Sequence, residues 1–363
     1  VVSRRRFFGG LLAMSAAVVS CSKQQRKDDS MNRGAGTQTA AGSLYFPDVT
    51  SDAWETTEAA AAGWREDALQ EAVTFAKDVN STGLIILYQG RIAREEYWRD
   101  GGTHVAADCF SVQKSLVSLL AGFARYEGHL DIERAVSEYI GPGWSRSPNT
   151  EARITVRHLM TMTSGLTATL ERAAEPGSVW AYNTAAYQVM KPVIEKAAGE
   201  PLEAYTRSRI WERIGASDSA WQERPNSPFT GWAASTRDMA RFGLLVLAGG
   251  RWGDQVVFPD PAYLQSALST SQQLNLSYGL LWWLNGKESH ITARGAKIAG
   301  ALNPQAPPDL VQAAGAGDKR IYVVPSRDLV VARHGPAAST DSGDASSSFD
   351  SGFWSRLSRA FPA

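Results

Sequence analysis

Cysteine is nearly missing from this chain. Cys21 and Cys109 are the two in 363 residues, and two cysteines imply no disulfide framework. Excess charge is missing as well. Lys and Arg total 37, as do Asp and Glu, which removes any overall electrostatic case for nucleic acid or a polyanionic partner. The five histidines are His104, His129, His158, His290 and His334, and none sits at metal-like spacing from another His, a Cys or a Glu. The chain also lacks a glycine-rich phosphate loop of the usual kinds, so the expectation is no metal and no cofactor. Internal repeats and apolar runs of membrane-spanning length are absent too. What remains has ordinary hydrophobic content and enough length for one large domain or two intimately joined ones.

The first 21 residues do not read as part of that fold. Ser3-Arg4-Arg5-Arg6-Phe7-Phe8 is a basic leader of the twin-arginine type. An uncharged run rich in Leu, Ala and Val follows from Phe7 and ends Val18-Val19-Ser20-Cys21, which resembles a bacterial lipoprotein cleavage site. Residues 1–21 are expected to be an export signal, with Cys21 the lipidated first residue of the mature chain. The plainer alternative is an ordinary signal peptide with an incidental cysteine. Residues 22–44 are mostly Gln, Lys, Asp, Ser, Thr, Ala and Gly and read as a flexible tether. The expected location is the bacterial cell envelope, with the membrane a partner through the lipid anchor. Folded sequence is expected over 45–363, as a monomer.

Hydrophobic periodicity predicts a helix over Asp67 to Val79, then a hairpin of Gly83–Tyr88 and Arg91–Trp98 turning at Gln89-Gly90. From Gly128 to about Glu223 helices are expected with little strand: Thr155–Met162, an amphipathic Thr184–Ala198, and Leu202–Ile214 ending at Gly215. Ser235–Leu247 is a further helix, capped by Ser235 or Thr236, and Pro261–Leu268 a short one. Strands return at Ser277–Leu284, Arg320–Val324 and Leu329–Arg333. Ala337–Ser351 is expected to be a surface loop, and Phe353–Ala360 a closing helix. Strands at both ends and helices between them imply an α+β fold, an antiparallel sheet flanked by helices. Its sheet region would cover about 45–110 and 230–363, with an all-helical region inserted at about 111–229.

Ser111 and Lys114 stand three residues apart just before Ser115-Leu116-Val117-Ser118-Leu119-Leu120-Ala121-Gly122-Phe123, which is apolar nearly all round and reads as a buried helix. Helical spacing puts the two side chains on one face. A serine needs a base to become a nucleophile, and a lysine in a dry setting can be that base. A lysine buried without purpose is costly. A second stretch, Val179-Trp180-Ala181-Tyr182-Asn183-Thr184, precedes a helix. Asn183 or Thr184 is either its N-cap or part of a site, and Tyr182 is either a packed ring or a phenol that moves protons. Gly315-Ala316-Gly317 precedes a strand and is either a turn or a strand edge offering an oxyanion N–H. Cys109 reads as a small buried residue.

Taken in order, these segments resemble the serine β-lactamase and penicillin-binding-protein superfamily. The likeness is greatest to the class C-related serine hydrolases, which include esterases, D-amino-acid peptidases and 6-aminohexanoate-dimer hydrolases. It spans roughly residues 65–335. Ser111-Val112-Gln113-Lys114 is similar to the family's S-x-x-K element, and Tyr182-Asn183-Thr184 falls where the family has Tyr-x-Asn, with Tyr187 at a familiar distance beyond. Thr155–Leu166, Asp238–Gly243 and Tyr278–Trp283 are similar to other family segments. The resemblance implies a β-lactamase/transpeptidase-like fold with Ser111, Lys114 and Tyr182 catalytic. Thr184, Gly315, Ala316 and Gly317 would lie on the substrate and oxyanion side.

Two departures matter. Thr184 stands where the family has Asn, and Ala314-Gly315-Ala316-Gly317 stands where it has Lys/His-Thr-Gly, with Lys319 and Arg320 the nearby cations that could substitute. They shift the expectation from penicillin-directed activity to hydrolysis of a small ester or amide. The alternatives are a β-lactamase or D-Ala-D-Ala-type peptidase, and a non-catalytic tethered binding protein on the same fold.

Overall fold

The strand Gly83–Tyr88 (β1) is apolar on both faces, and the protein uses both. Ile85 and Leu87 enter one core, while Leu84 and Ile86 enter another, as the period of two along a strand requires. This is the pattern of a strand buried between two layers. The computed structural model describes residues 44–224, 229–340 and 344–362. The expected export signal, Cys21 and nearly all of the tether lie outside them.

β1 pairs with β2 (Arg91–Tyr97) through the expected hairpin. On its other side it meets a strand from the far end of the chain, with Gly83 opposite His334 and Tyr88 opposite Leu329. With β3 (Ala107–Asp108), β4 (Ala220–Glu223), β5 (Thr230–Ala234), β6 (Trp283–Leu284), β7 (Ser289–Ile291), β8 (Lys297–Ala299), β9 (Val311–Gly315), β10 (Lys319–Val324) and β11 (Leu329–His334), the main sheet runs β2-β1-β11-β10-β9-β6. Its pairings are antiparallel throughout. Helices Glu66–Asp78 and Ser348–Leu357 contribute Leu69, Val73, Phe353 and Trp354 to the core on one face. Helices Gln113–Tyr126 and Thr236–Leu247 contribute Leu116, Leu120, Phe242 and Leu245 to the core on the other. The expected α+β architecture, a sheet assembled from remote segments with helices inserted between them, is present.

Several elements differ from expectation for identifiable reasons. The amphipathic 184–198 stretch breaks at Val189 into helices Thr184–Gln188 and Met190–Ala198. Pro192 has no N–H to return to the Gln188 carbonyl. The 202–214 helix is there but widens to a π-helical turn at Arg207–Trp211. Ser277–Leu284 is a strand only at Trp283–Leu284. Before it the chain doubles back, Gly279 N–H bonding Trp282 O and Leu281 N–H bonding Met160 O. The closing helix starts at Ser348, not Phe353, because Ser347 caps it: Asp350 accepts from the Ser347 N–H at 2.7 Å. A second sheet, β3-β5-β4, and the hairpin β7-β8 were not expected. Their short strands, such as Thr230-Gly231-Trp232-Ala233-Ala234, carry little β-branched alternation.

One set of buried charges in the C-terminal half is paired. Arg320 is fully buried; Nε and Nη2 donate to Asp350 Oδ1 and Oδ2 at 3.0 and 2.9 Å, and Tyr322 Oη donates to the same carboxylate at 2.5 Å. Removing one partner of a buried pair leaves the other uncompensated. Asp350→Ala is expected to lower the unfolding free energy by about 3–5 kcal/mol, read as a fall in the urea midpoint. An unchanged midpoint would refute this account of the network.

Candidate active site

Ser111 sits in a tight turn, Phe110–Val112, that runs directly into the helix Gln113–Tyr126. The turn is held from both sides. Cys109 N–H bonds Trp232 O at 2.8 Å, and the Asp108 carboxylate accepts from Phe110 N at 2.8 Å while gripping Arg224 at 2.6 and 2.7 Å. Phe110 takes φ 49°, a left-handed conformation uncommon for a bulky side chain, immediately before the serine.

Lys114 is 2% exposed. Its Nζ lies 2.9 Å from Ser111 Oγ and 3.2 Å from Thr184 Oγ1, with the rings of Tyr182 and Tyr187 at 4.8 and 4.5 Å. None of these neighbours is a carboxylate. Burial, then the positive charges of Arg224 and Lys191, hold its pKa well below the ordinary lysine value. Tyr182 shifts the opposite way. Its ring is partly accessible, but burial of the hydroxyl pushes its pKa up to about 12, against lowering by a hydrogen bond with Ser111 and by Arg320. An amine with a lowered pKa and a phenol with a raised one thus flank one hydroxyl, groups suited to accept and to donate a proton within a single hydrogen-bonded set.

The Tyr182 motif divides its work. Asn183 is the N-cap: its Oδ1 accepts from Ala186 N at 3.0 Å and its Nδ2 donates to Leu166 O and Thr167 O. It therefore fastens the 155–166 segment to the helix. Thr184 is the first helical residue, and its hydroxyl reaches Lys114.

β9 closes the group. β6 pairs only with Val311 and Gln312 of it, so the rest of that edge is free of a strand neighbour among the described residues and passes the serine turn. A Cβ placed on Gly315 would lie 2.4 Å from Cys109 O and 3.2 Å from Ser111 N, so only glycine fits. A cavity of about 40 Å³ is lined by Ser111, Tyr182, Trp283, Ala293, Ala314, Gly315, Ala316, Asp344 and Ala345. Gly317 is not among its walls; it turns the β9–β10 hairpin at φ 75° and its carbonyl accepts from Arg333. The substitute cations also lie elsewhere. Arg320 is committed to Asp350, and Lys319 Nζ donates to Gly335 O at 2.9 Å beneath the Phe110 ring.

Sequence reading missed Trp283 as a site residue, although its segment stood out, named Ala314 only as part of the strand motif, and missed Ala293, Asp344 and Ala345. Asp344 falls in a Ser/Asp/Gly-rich stretch whose composition signals only a loop. A roomier cavity of about 640 Å³ lies around Trp144, Lys191 and Trp221, without Ser111, Lys114 or Tyr182 in its walls.

If Lys114 must be neutral to accept the Ser111 proton, labelling of Ser111 by a fluorophosphonate should rise with pH. It should level off well below the ordinary lysine value of 10.5, because burial lowers the pKa. A rate still climbing through that pH would reject Lys114 as the base.

The geometry can be set beside known proteins. The family model described as Beta-lactamase matches residues 67–334. A Bacillus anthracis protein named as a candidate 6-aminohexanoate-dimer hydrolase is similar in structure at 16% identity, with 78% of this chain and 79% of that one covered and a TM-score of 0.63. A Bacteroides dorei DSM 17855 protein named as a candidate beta-lactamase is similar at 15% identity, covering 81% and 98%, with a TM-score of 0.64. A beta-lactamase from Mycobacterium bovis is similar at 18% identity, covering 80% and 96%, with a TM-score of 0.58. At these identities the likeness is one of fold. No curated protein matches the sequence.

Proposed function

The chain belongs to the Beta-lactamase family and has its β-lactamase/transpeptidase-like fold, and from that premise we propose that it is a serine hydrolase acting on a small ester or amide through an acyl-enzyme. One observation carries the proposal: a buried amine, its pKa held well below the ordinary lysine value, stands 2.9 Å from a serine hydroxyl.

In the first step Ser111 Oγ attacks the substrate carbonyl carbon while its proton passes to Lys114 Nζ. The carbonyl π electrons move to oxygen. The N–H of Ser111 and an N–H from the 314–316 edge would stabilise the resulting oxyanion in this scheme. Collapse expels the alcohol or amine. Tyr182, still a phenol at neutral pH, gives the leaving group a proton and is reprotonated from Lys114. Water then attacks the acyl-enzyme with Lys114 again as base, releasing the acid and restoring Ser111. Thr184 positions Lys114 in this scheme. Replacing Ser111 by Ala is expected to abolish burst release of p-nitrophenol and lower kcat by roughly 10³-fold or more.

The preference for an ester or unstrained amide over a β-lactam rests on the strand. Where the family has a cation, Ala314 and Ala316 present methyl groups and Gly315 no side chain, and neither Lys319 nor Arg320 lines the cavity. A charge-assisted hydrogen bond to a carboxylate is worth about 1.5–3 kcal/mol, so its loss costs roughly 10- to 100-fold. On one enzyme preparation, kcat/KM for a p-nitrophenyl ester should exceed that for a chromogenic cephalosporin. The reverse order would make the protein a β-lactamase.

Lipid anchoring at Cys21 in the cell envelope belongs to the same proposal, supported by Arg4-Arg5-Arg6 and the Val18-Val19-Ser20-Cys21 junction. A diacylglyceryl group supplies two chains, enough for stable anchoring. In detergent phase partition the wild type should enter the detergent phase and Cys21→Ser the aqueous phase; equal aqueous partition would reject lipidation.

A further inference from the structure

We propose that Asp344 is the substrate-charge selector of the Ser111 cavity, so that this hydrolase takes esters or amides bearing an ammonium group close to the scissile carbonyl. The inference deepens the hydrolase reading and rests on it. Asp344 shares the cavity walls with Ser111, Tyr182 and Trp283. The other described walls are alanines, a glycine, the serine, the indole and a phenol that stays protonated at neutral pH, so Asp344 brings the one formal charge among the described residues lining the cavity. Lys114 is not among these walls.

The carboxylate is unfinished. Oδ1 is buried and meets no hydrogen-bond donor among the described residues. Oδ2 has Arg294 Nε at 3.6 Å, beyond hydrogen-bond length, and the Arg294 side chain is 63% exposed where Asp344 is 14% exposed. A buried carboxylate oxygen without a donor is costly, and a ligand N–H that reaches it recovers that cost.

Asp344 is also held by built structure. Arg320 Nη2 donates to its backbone carbonyl at 2.8 Å, and Gln312 Nε2 donates to the carbonyl of Ala345. Arg320 and Gln312 are both fully buried on neighbouring strands, and Arg320 is itself locked by Asp350. The strands therefore set where the carboxylate stands. Trp283 and Tyr182 stack with ring centroids 5.7 Å apart and line the same cavity, and aromatic faces add attraction for a cation. The cavity's 40 Å³ holds little more than a water molecule. Entry of a substrate therefore displaces part of its wall. Arg294, on the β7–β8 turn beside Ala293, is the group a substrate ammonium would replace.

The test uses three near-isosteric p-nitroanilides and the matching esters: β-alanyl (cationic), butyryl (neutral) and succinyl (anionic). For the wild type, kcat/KM should fall in the order cationic, neutral, anionic. The cationic-to-neutral ratio should drop about 10- to 100-fold in Asp344→Asn, the worth of a charge-assisted hydrogen bond. Asp344→Ser should behave likewise, guarding against a folding defect in one variant. An anionic or neutral preference in the wild type, or an unchanged ratio in both variants, overturns the assignment. If the wild type hydrolyses none of the six and fluorophosphonate leaves Ser111 unlabelled, the hydrolase reading fails instead. Charge selection is then read by thermal shift. n-Butylammonium should raise Tm of the wild type more than butyrate does, and lose that advantage in Asp344→Asn; no advantage in the wild type overturns the proposal.

Discussion

An amine taken out of water with no carboxylate to compensate it is the constraint on which this site depends. Ionised, Lys114 would carry a full charge into a setting where its neighbours are a serine hydroxyl, a threonine hydroxyl and two tyrosine rings. Such a group gives up its proton sooner than it pays the desolvation cost. Arg224 and Lys191 push the same way. Lys191, partly held by Thr230 O, has its own pKa brought down to about 7 by burial and by Arg224. The Tyr187 ring lies 4.5 Å from one lysine nitrogen and 5.9 Å from the other. Two amines facing one ring from close range cannot both ionise cheaply, and the more deeply enclosed one is Lys114.

The surrounding scaffold keeps its own charges away from that amine. Asp108, the acidic group next to the serine turn, is tied to Arg224 and to the Phe110 N–H. Arg320 of β10 and Arg333 of β11 are met by Asp318 in the hairpin turn, by Asp350 on the closing helix and by the hairpin backbone. His334 is buried with its Nε2 on Ala234 O, and burial brings its pKa down to about 3, so it stays neutral. These buried charges are met by their own neighbours rather than by Lys114, whereas Asp344 on the cavity wall keeps a buried oxygen without a donor among the described residues.

Much of this was legible before the fold. Ser111 and Lys114 were readable because a lysine at the start of an apolar helix needs a reason. Tyr182 and Thr184 were readable only as alternatives, since an N-cap and a site residue look alike in sequence; Asn183 proved to be the cap and Thr184 the neighbour of Lys114. The β1–β2 hairpin and β10 and β11 followed from apolar runs, whereas β4, β5 and β7 did not, being short and poor in β-branched residues. Asp344 was not legible at all. Its meaning comes from Arg320 and Gln312, both far from it in sequence, holding 344–345 against the serine cavity.

The Gly315 position shows why the departure from the family's strand motif need not cost catalysis. β9 must come close enough to the serine turn that any side chain at 315 would strike Cys109 O. What the strand contributes there is backbone, and backbone N–H groups are indifferent to whether the neighbouring side chains are lysine, threonine or alanine. Alanines at 314 and 316 preserve that approach while removing side-chain donors from one wall of the cavity. Oxyanion stabilisation and substrate recognition are therefore separable on this strand. On the proposed mechanism the first would be kept by the close approach, and the second would pass to groups outside the strand, where Trp283 and Asp344 line the cavity.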